Sequence, residues 1–366
     1  NLLSPGETPY ENAQFLIFLC AVIKAVDNYQ DLLRISVATA GNDHRLGANE
    51  APPAVVSIFL GDELAAILEA IESDKPYAGT KKTTLKLGVD VLPKFARDTT
   101  DRNRTSPFAF TGNKFEFRML GSSNSISCAN IMLNSAVAES LKIYADRLEG
   151  VDNFEQSLHE MIKKTIKDHK RILFNGNGYD ETWIEEAEKR GLMNYRTTPD
   201  CMPHLLDKKN VEMLTSHKVF TETELKSRCE IMLDNYCKTV VIEANTMVDM
   251  ARKQILPAVE AYVKEVSKTA VAKKQFAPDA SCEYEKKTVT KLSLLMEQIL
   301  DKTETLEDEI MKLKFISDVK QESYAIRDSI LPKMGELRAV ADEAETLTAD
   351  KYWPFPTYGE LLFGVK

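Results

Sequence analysis

The sequence predicts an α+β fold in which short strands precede a long run of helices. Alternation of apolar and polar residues, the period of a β-strand, marks residues 85–92 and 114–118. Beyond residue 220, apolar residues recur at helical spacing through stretches that are nearly without helix breakers. Strands followed by helices suit a mixed catalytic domain that continues into a helical extension.

The composition is that of a globular protein. The chain has 366 residues, of which 43% are hydrophobic and 28% charged, enough for a sizeable core and two or three domains. Its formal net charge of -9 argues against nonspecific binding to nucleic acid, and no apolar run reaches the roughly 18 residues of a membrane span. The six cysteines form no CxxC pair, which favours reduced thiols in a cytoplasmic protein over a zinc site or a disulfide framework.

The elements of the first 120 residues follow from periodicity and from turn residues. Phe15, Leu19 and Val22 have helical spacing, whereas a polar segment punctuated by glycine and proline indicates a loop. The predicted order is a helix at 11–33, a strand at 35–39, the loop at 41–53, a strand at 54–59, a helix at 63–72, and strands at 85–92 and 114–118.

The rest of the chain is predicted to be mostly helical. Asp180 and Gly191 suit the two ends of one helix, and Thr221 and Glu224 form a capping box. Pro257 either kinks a helix or separates two helices. The predicted helices lie at 125–148, 154–172, 181–190, 221 to beyond 248, 258–276, 280–313 and 316–347, with an irregular segment at 197–208.

Three domains are expected from this order. Residues 1–255 form the mixed part that contains the strands, and residues 256–350 form an extension in which two long helices pair as an antiparallel hairpin. Residues 351–366 are a tail rich in aromatic residues and proline. We expect this tail to pack on the body of the protein or on a neighbouring subunit.

The strand at 114–118 carries the first candidate site. Period two places Phe115 and Phe117 towards a core and leaves Lys114, Glu116 and Arg118 in a row on the other face. A glutamate supplies a hard oxygen ligand for Mg²⁺ or Mn²⁺, while lysine and arginine bind anionic oxygens. On these five residues alone, an exposed strand face with an ion pair is the favoured interpretation.

Two further charged segments change that balance. The sequence reads GNDHRLGANEAPP at 41–53, RNR at 102–104 and KFEFR at 114–118. In this order the three segments resemble the C-terminal half of the glutamine synthetase active site. The form of the first segment and the long helical C-terminus are most similar to the type III class. The resemblance implies that residues 1–255 are the C-terminal part of the catalytic domain, with antiparallel strands backed by helices.

The resemblance implies a role for each matching residue. Arg45 would bind the glutamate carboxylate, and Arg118 would contact substrate and the transferred phosphate. Glu116 would be a metal ligand for Mg²⁺ or Mn²⁺. Lys114 would contact ATP from a position where many relatives have arginine. His44 and the other four histidines are assigned no role.

Two more matches concern catalysis. Arg104 would stabilise the ATP phosphate during transfer. Glu50 would close over the site and take the proton from ammonium. The loop between Arg45 and Glu50 is one residue shorter than in bacterial type I enzymes, and 105–109 lacks an arginine that relatives often carry there.

The resemblance also implies a larger protein. In the family, a β-grasp domain and the first half of the catalytic domain carry most metal-ligand glutamates and a Gly-Ser-Gly-x-His motif. None of these has a counterpart here, so we expect a C-terminal portion that is inactive alone. The partners implied are L-glutamate, ammonium and ATP, and the assembly is a homo-oligomer, a dodecamer of two hexameric rings. Two alternatives stay open: a non-catalytic, synthetase-like helical scaffold or regulatory protein, and a ligase that joins glutamate to another amine.

Overall fold

The computed structural model describes residues 1–48, 51–77 and 106–364. They form two compact units, Asn1–Met232 and Leu233–Lys366. In these ranges the fold is mostly helical with one small sheet, which agrees with the predicted α+β class. Within the described residues, no helix is long and apolar enough to cross a bilayer.

The first unit is built around a buried N-terminal helix. Its elements are α1 Ala13–Asn28, α2 Gln30–Ile35, α3 Ala40–Arg45, β1 Ile58–Phe59, α4 Asp62–Glu72, β2 Phe108–Phe110, β3 Phe115–Phe117, α5 Ser127–Leu148, α6 Phe154–His169, α7 Glu181–Lys189, α8 Thr198–Cys201 and α9 Lys208–Ser216. Phe15, Leu19 and Ile23 of α1 are at most 1% exposed, and α1 packs against both α5 and α6.

The described sheet has three strands in the order β1-β2-β3. β1 and β2 are parallel, whereas β2 and β3 are antiparallel with Ala109 opposite Glu116. The expectation of antiparallel strands is therefore wrong for β1. The strand predicted at 85–92 lies outside the described residues.

Several predicted boundaries in this unit are wrong. Residues 11–33 form two helices because Tyr29, with φ of -123°, interrupts the helical path. No strand forms at 35–39, since Ile35 ends α2 and the Thr39 side chain caps α3, which occupies part of the predicted loop. The strand expected at 54–59 is only Ile58–Phe59.

The helices after the sheet agree better with the prediction. Asp180 caps α7 by accepting a hydrogen bond from the Thr182 amide, and Gly191 follows that helix with φ of +73°. The irregular segment predicted at 197–208 is wrong. Thr197 and Asp200 form a capping box there, α8 follows, and Met202–Leu206 forms a 3₁₀ helix.

The second unit begins within α10, Glu222–Met250, whose capping box is present. It continues with α11 Leu256–Phe276, α12 Glu283–Leu313, α13 Val319–Ala325, α14 Leu331–Leu347 and α15 Tyr358–Phe363. α12 packs against both α11 and α14. The predicted apolar stripe of α12 is buried: Leu292, Leu295, Ile299, Leu306, Ile310 and Leu313.

Two prolines explain the irregular turns of this unit. The π-helical turns Ala251–Ile255 and Ile326–Ile330 each end two residues before a proline, Pro257 or Pro332. Proline lacks an amide hydrogen and its ring collides with the carbonyl four residues earlier, so the preceding turn widens. The separation predicted at Pro257 is thus a widened turn between α10 and α11.

Candidate active site

The candidate site is a cavity of about 780 Å³ in the first unit. It lies where α3 and the segment after it meet the end of β3. Its lining residues are His44, Arg45, Ala48, Ala51, Pro52, Glu116, Phe117, Arg118, Leu120 and Ser122.

The sheet fixes the direction of the charged side chains of β3. Phe115 and Phe117 pack against Phe108, with ring centroids 5.0 and 5.9 Å from it. Because successive side chains of a strand point to opposite faces, Glu116 then points away from this aromatic cluster. A turn at Gly112, with φ of +79°, connects β2 to β3.

Glu116 lies between two cations. Arg118 donates hydrogen bonds from Nε and Nη2 to Oε2 of Glu116, at 3.2 and 3.0 Å. Thr111 donates to Oε1 at 3.0 Å, and Lys114 Nζ is 3.4 Å from the same oxygen. The Arg118 side chain is 12% exposed, whereas that of Glu116 is 37% exposed. The carboxylate is therefore open to an approaching ligand.

These neighbours keep Glu116 ionised. The hydrogen bonds from Arg118 are the largest cause, followed among the lowering contributions by those from Thr111 and Lys114, and together they lower the pKa of the Glu116 carboxyl. Hydrogen bonds and positive charge stabilise the carboxylate relative to the acid. At neutral pH this position carries a negative charge that can bind a cation.

Arg45 reaches the same cavity from α3. Its Nη1 donates to the carbonyl of Met119 at 3.0 Å and to Oδ1 of Asn42 at 3.2 Å, and its Nη2 donates to the carbonyl of Arg118 at 3.4 Å. Asn42 is buried, and its Nδ2 donates to the carbonyls of Val37 and Met119 at 2.8 and 2.9 Å. The two residues fasten α3 to the end of β3.

The cavity thus presents two guanidinium groups and one carboxylate on rigid elements. Such a set can bind carboxylates or phosphates through the arginines and one hard cation through the glutamate.

Comparison with known proteins identifies relatives of this chain. Residues 157–274 match the family model of the glutamine synthetase C-terminal domain. The whole chain is 43% identical to a glutamine synthetase of Butyrivibrio fibrisolvens, and 52% of that relative is covered. Over 99% of its length, the chain is 39% identical to a type-3 glutamine synthetase of Dictyostelium discoideum, of which it covers 50%. Over the same share, it is 38% identical to a glutamine synthetase of Bacteroides fragilis, of which it covers 51%.

Over its whole length the chain is similar to glutamine synthetases, and residues 157–274 match the C-terminal domain of that family. The type III resemblance seen in the sequence motifs is confirmed by the similarity to the type-3 relative. The chain spans about half the length of the curated relatives that it matches.

The structure brings together four of the six residues predicted for the site. Arg45, Glu116 and Arg118 line the cavity, and Lys114 lies beside Glu116. Glu50 and Arg104 lie outside the described residues, so their roles stay predictions.

The cavity supplies one ligand for a divalent ion, not a complete metal site. Among the described residues, no group of three or more His, Cys, Asp or Glu side chains could hold a metal ion. Mg²⁺ requires about six oxygen ligands. Glu116 can supply one of them, because its carboxylate is ionised and open to the cavity.

His44 was missed as a lining residue. It is exposed and lies on the cavity wall beside Arg45. Its position next to Arg45 was the available signal, but adjacency in a predicted loop gives no side-chain direction. The formation of α3 supplies that direction.

Proposed function

We propose that this chain forms part of the active site of a glutamine synthetase, which joins ammonia to the γ-carboxylate of L-glutamate with ATP as the second substrate. One observation carries the proposal. Arg45 of α3 and Arg118, which follows β3, are 73 residues apart in the sequence, yet line one cavity with Glu116.

The reaction needs these charges at two steps. An oxygen of the γ-carboxylate attacks the γ-phosphorus of ATP, and ADP leaves, which yields γ-glutamyl phosphate. Ammonia then attacks the acyl carbon, and phosphate leaves as glutamine forms. Positive groups near the transferring phosphoryl group stabilise the charge that is spread over its oxygens.

Each residue has a distinct task in this proposal. Arg45 binds a carboxylate of glutamate, and Arg118 contacts the substrate and then the transferred phosphate. Lys114 contacts a phosphate of ATP as a single point charge, without the planar fork of arginine. Glu116 gives one oxygen ligand to Mg²⁺ or Mn²⁺, an ion that neutralises phosphate charge when bound.

The remaining tasks fall to residues outside the described ranges. Arg104 contacts the phosphate during transfer. Glu50 closes over the site and accepts a proton from ammonium, which makes ammonia the nucleophile rather than a larger amine. As part of the same proposal, the complete enzyme is a cytoplasmic dodecamer of two hexameric rings. This chain alone does not turn over. Similarity to glutamine synthetases supports the proposed assembly and the proposed inactivity of this chain alone.

The test is ATP- and Mg²⁺-dependent formation of glutamine by the protein as it is encoded in full. We expect Glu116→Ala to lower kcat/KM by about 100-fold or more, because loss of a metal ligand removes several kcal/mol of charge stabilisation. The Mg²⁺ concentration for half-maximal activity should rise in the same variant.

Glu185→Ala is the matched control. Glu185 is an exposed glutamate of α7 in the same unit, so its removal should leave the activity within twofold. A parent protein that assembles but forms no glutamine would refute the proposal and favour the scaffold. Full activity of Glu116→Ala would remove the metal role from Glu116.

A further inference from the structure

A buried ion pair lies behind the helix that carries Arg45. Arg34 of α2 is 1% exposed, and its Nη2 donates to Oδ1 of Asp43 at 2.6 Å. The other carboxylate oxygen of Asp43 accepts the backbone amide hydrogen of Thr198, with the two heavy atoms 2.5 Å apart. Asp43 therefore joins three elements, namely α2, its own helix α3, and the start of α8.

The guanidinium of Arg34 is itself fixed by backbone. Its Nε donates to the carbonyl of Tyr195 at 2.7 Å, and its Nη2 also donates to the carbonyl of Arg196 at 3.0 Å. These carbonyls precede α8 and are more than 160 residues from Arg34 in the sequence. Because the guanidinium is planar and its donors have fixed directions, these two carbonyls also fix the place of the donor that binds Asp43.

Asp43 and Arg45 are two residues apart on α3, so their side chains leave the helix in nearly opposite directions. Asp43 faces the buried pair, and Arg45 faces the cavity. A rotation or shift of this six-residue helix would move the Arg45 guanidinium away from the carbonyls of Arg118 and Met119.

We propose that Asp43, held by Arg34, is a positioning residue that sets Arg45 opposite Glu116 and Arg118 and so determines the affinity for glutamate. The inference rests on the proposed function, because it assumes that Arg45 binds a glutamate carboxylate. Displacement of a binding group by about 1 Å can cost about 100-fold in rate. Loss of the pair should therefore act on the site without any contact to substrate.

The test is the steady-state kinetics of Asp43→Asn in the complete enzyme. The amide keeps the size of the side chain and an acceptor for the Thr198 amide, but it removes the charge that holds Arg34. We expect the KM for glutamate to rise about tenfold or more while the KM for ATP stays within twofold. That split between substrates is not produced by a general loss of folded protein.

Asp27→Asn is the matched control. Asp27 of α1 is a buried carboxylate of the same unit, 3% exposed, and it accepts hydrogen bonds from Arg171 at 2.8 Å and His169 at 2.7 Å. Its removal breaks a comparable buried cluster away from α3. We expect lower thermal stability and an unchanged KM for glutamate.

A coupling experiment separates positioning from direct binding. If Asp43 acts through Arg45, Asp43→Asn should add little to the KM for glutamate in an Arg45→Lys background. Should Asp43→Asn fail to assemble, Arg34→Lys carries the same test, since it keeps a cation opposite Asp43 but loses the fork. It should raise the KM for glutamate in the same direction.

Each outcome bears on one proposal only. An active parent whose KM for glutamate is unaffected by Asp43→Asn or Arg34→Lys would overturn the positioning role. An equal rise in Asp27→Asn, or full additivity with Arg45→Lys, would overturn it as well. An inactive parent would instead refute the proposed function.

Discussion

At the scale of single residues, the proposed metal role of Glu116 places two demands on one carboxylate. Its oxygens already accept hydrogen bonds from Arg118 and Thr111, yet a metal ligand needs an available lone pair. An ionised carboxylate has about four acceptor positions, so each oxygen can keep its donor and still bind a cation. The lowered pKa of Glu116 also favours cation binding, because the carboxylate is already ionised and no proton has to leave.

Glu50 allows a prediction on the division of labour between the two chemical steps. We expect Glu50→Ala to reduce attack by ammonia more than formation of γ-glutamyl phosphate, because only the former needs a proton acceptor. A general base contributes about 10²–10⁴-fold, so a loss of this size is expected for glutamine formation. Single-turnover formation of ADP, compared with formation of glutamine in the same samples, measures the two steps.

Glu50→Gln is the control for the size of this side chain. It should resemble Glu50→Ala in the ammonia step if the charge is what matters. Equal losses in ADP and glutamine formation would take the proton-acceptor role away from Glu50.

At the scale of elements, α12 supports the second unit through one buried stripe. Leu295 is fully buried, whereas its neighbour Leu294 is 47% exposed. We expect Leu295→Ala to lower the free energy of unfolding by about 2–5 kcal/mol, as is typical of large-to-small core substitutions. Leu294→Ala should cost less than about 0.5 kcal/mol. Urea unfolding followed by circular dichroism measures both, and similar losses for the two variants would contradict the packing of α12.

The same helix shows what the sequence could predict. Its buried residues, with Thr303 among them, recur every three or four positions from Leu292 to Leu313. A pattern of this length fits an α-helix and no other regular structure. Short segments contain too few residues to distinguish a helix from a strand in this way. Ile35, Val37 and Thr39 alternate as in a strand, but Thr39 accepts a hydrogen bond from the Asn42 amide and starts α3 instead.

Three of the residues that line the cavity were predictable from the sequence motifs, but the contacts that hold them in place were not. The resemblance indicated Arg45, Glu116 and Arg118, because the segments that contain them match glutamine synthetase motifs in the same order. Nothing local in the sequence indicated that Asp43 pairs with Arg34 and with the Thr198 amide, 155 residues away. Such contacts depend on tertiary packing, which periodicity and capping patterns do not encode.

At the scale of the whole molecule, the reactivity of the cysteines is a test of the packing of both units. All six are reduced thiols, and Cys20, Cys201, Cys229 and Cys237 are buried, whereas Cys128 and Cys282 are half-buried. Burial raises the pKa of Cys20, Cys201 and Cys237 to about 12. The thiolate is the reactive form. At these three positions, burial therefore slows reaction in two ways, because it keeps reagent out and lowers the fraction of thiolate.

Alkylation with N-ethylmaleimide at pH 8, read by peptide mass spectrometry, should therefore divide the cysteines into two classes. A rise in pKa from 9 to about 12 lowers the thiolate fraction by about 10³-fold, so Cys20, Cys201 and Cys237 should react at least about 100-fold more slowly than a free thiol. They should also react more slowly than the half-buried Cys282. In denaturant all six should react alike, which provides the control.

Labelling of Cys20 and Cys201 should appear over one range of urea concentration, because both lie in the first unit. Labelling of Cys237 should follow the unfolding of the second unit. Rapid native labelling of Cys20 would contradict the buried core around α1, and rapid labelling of Cys237 would contradict the packing of α10.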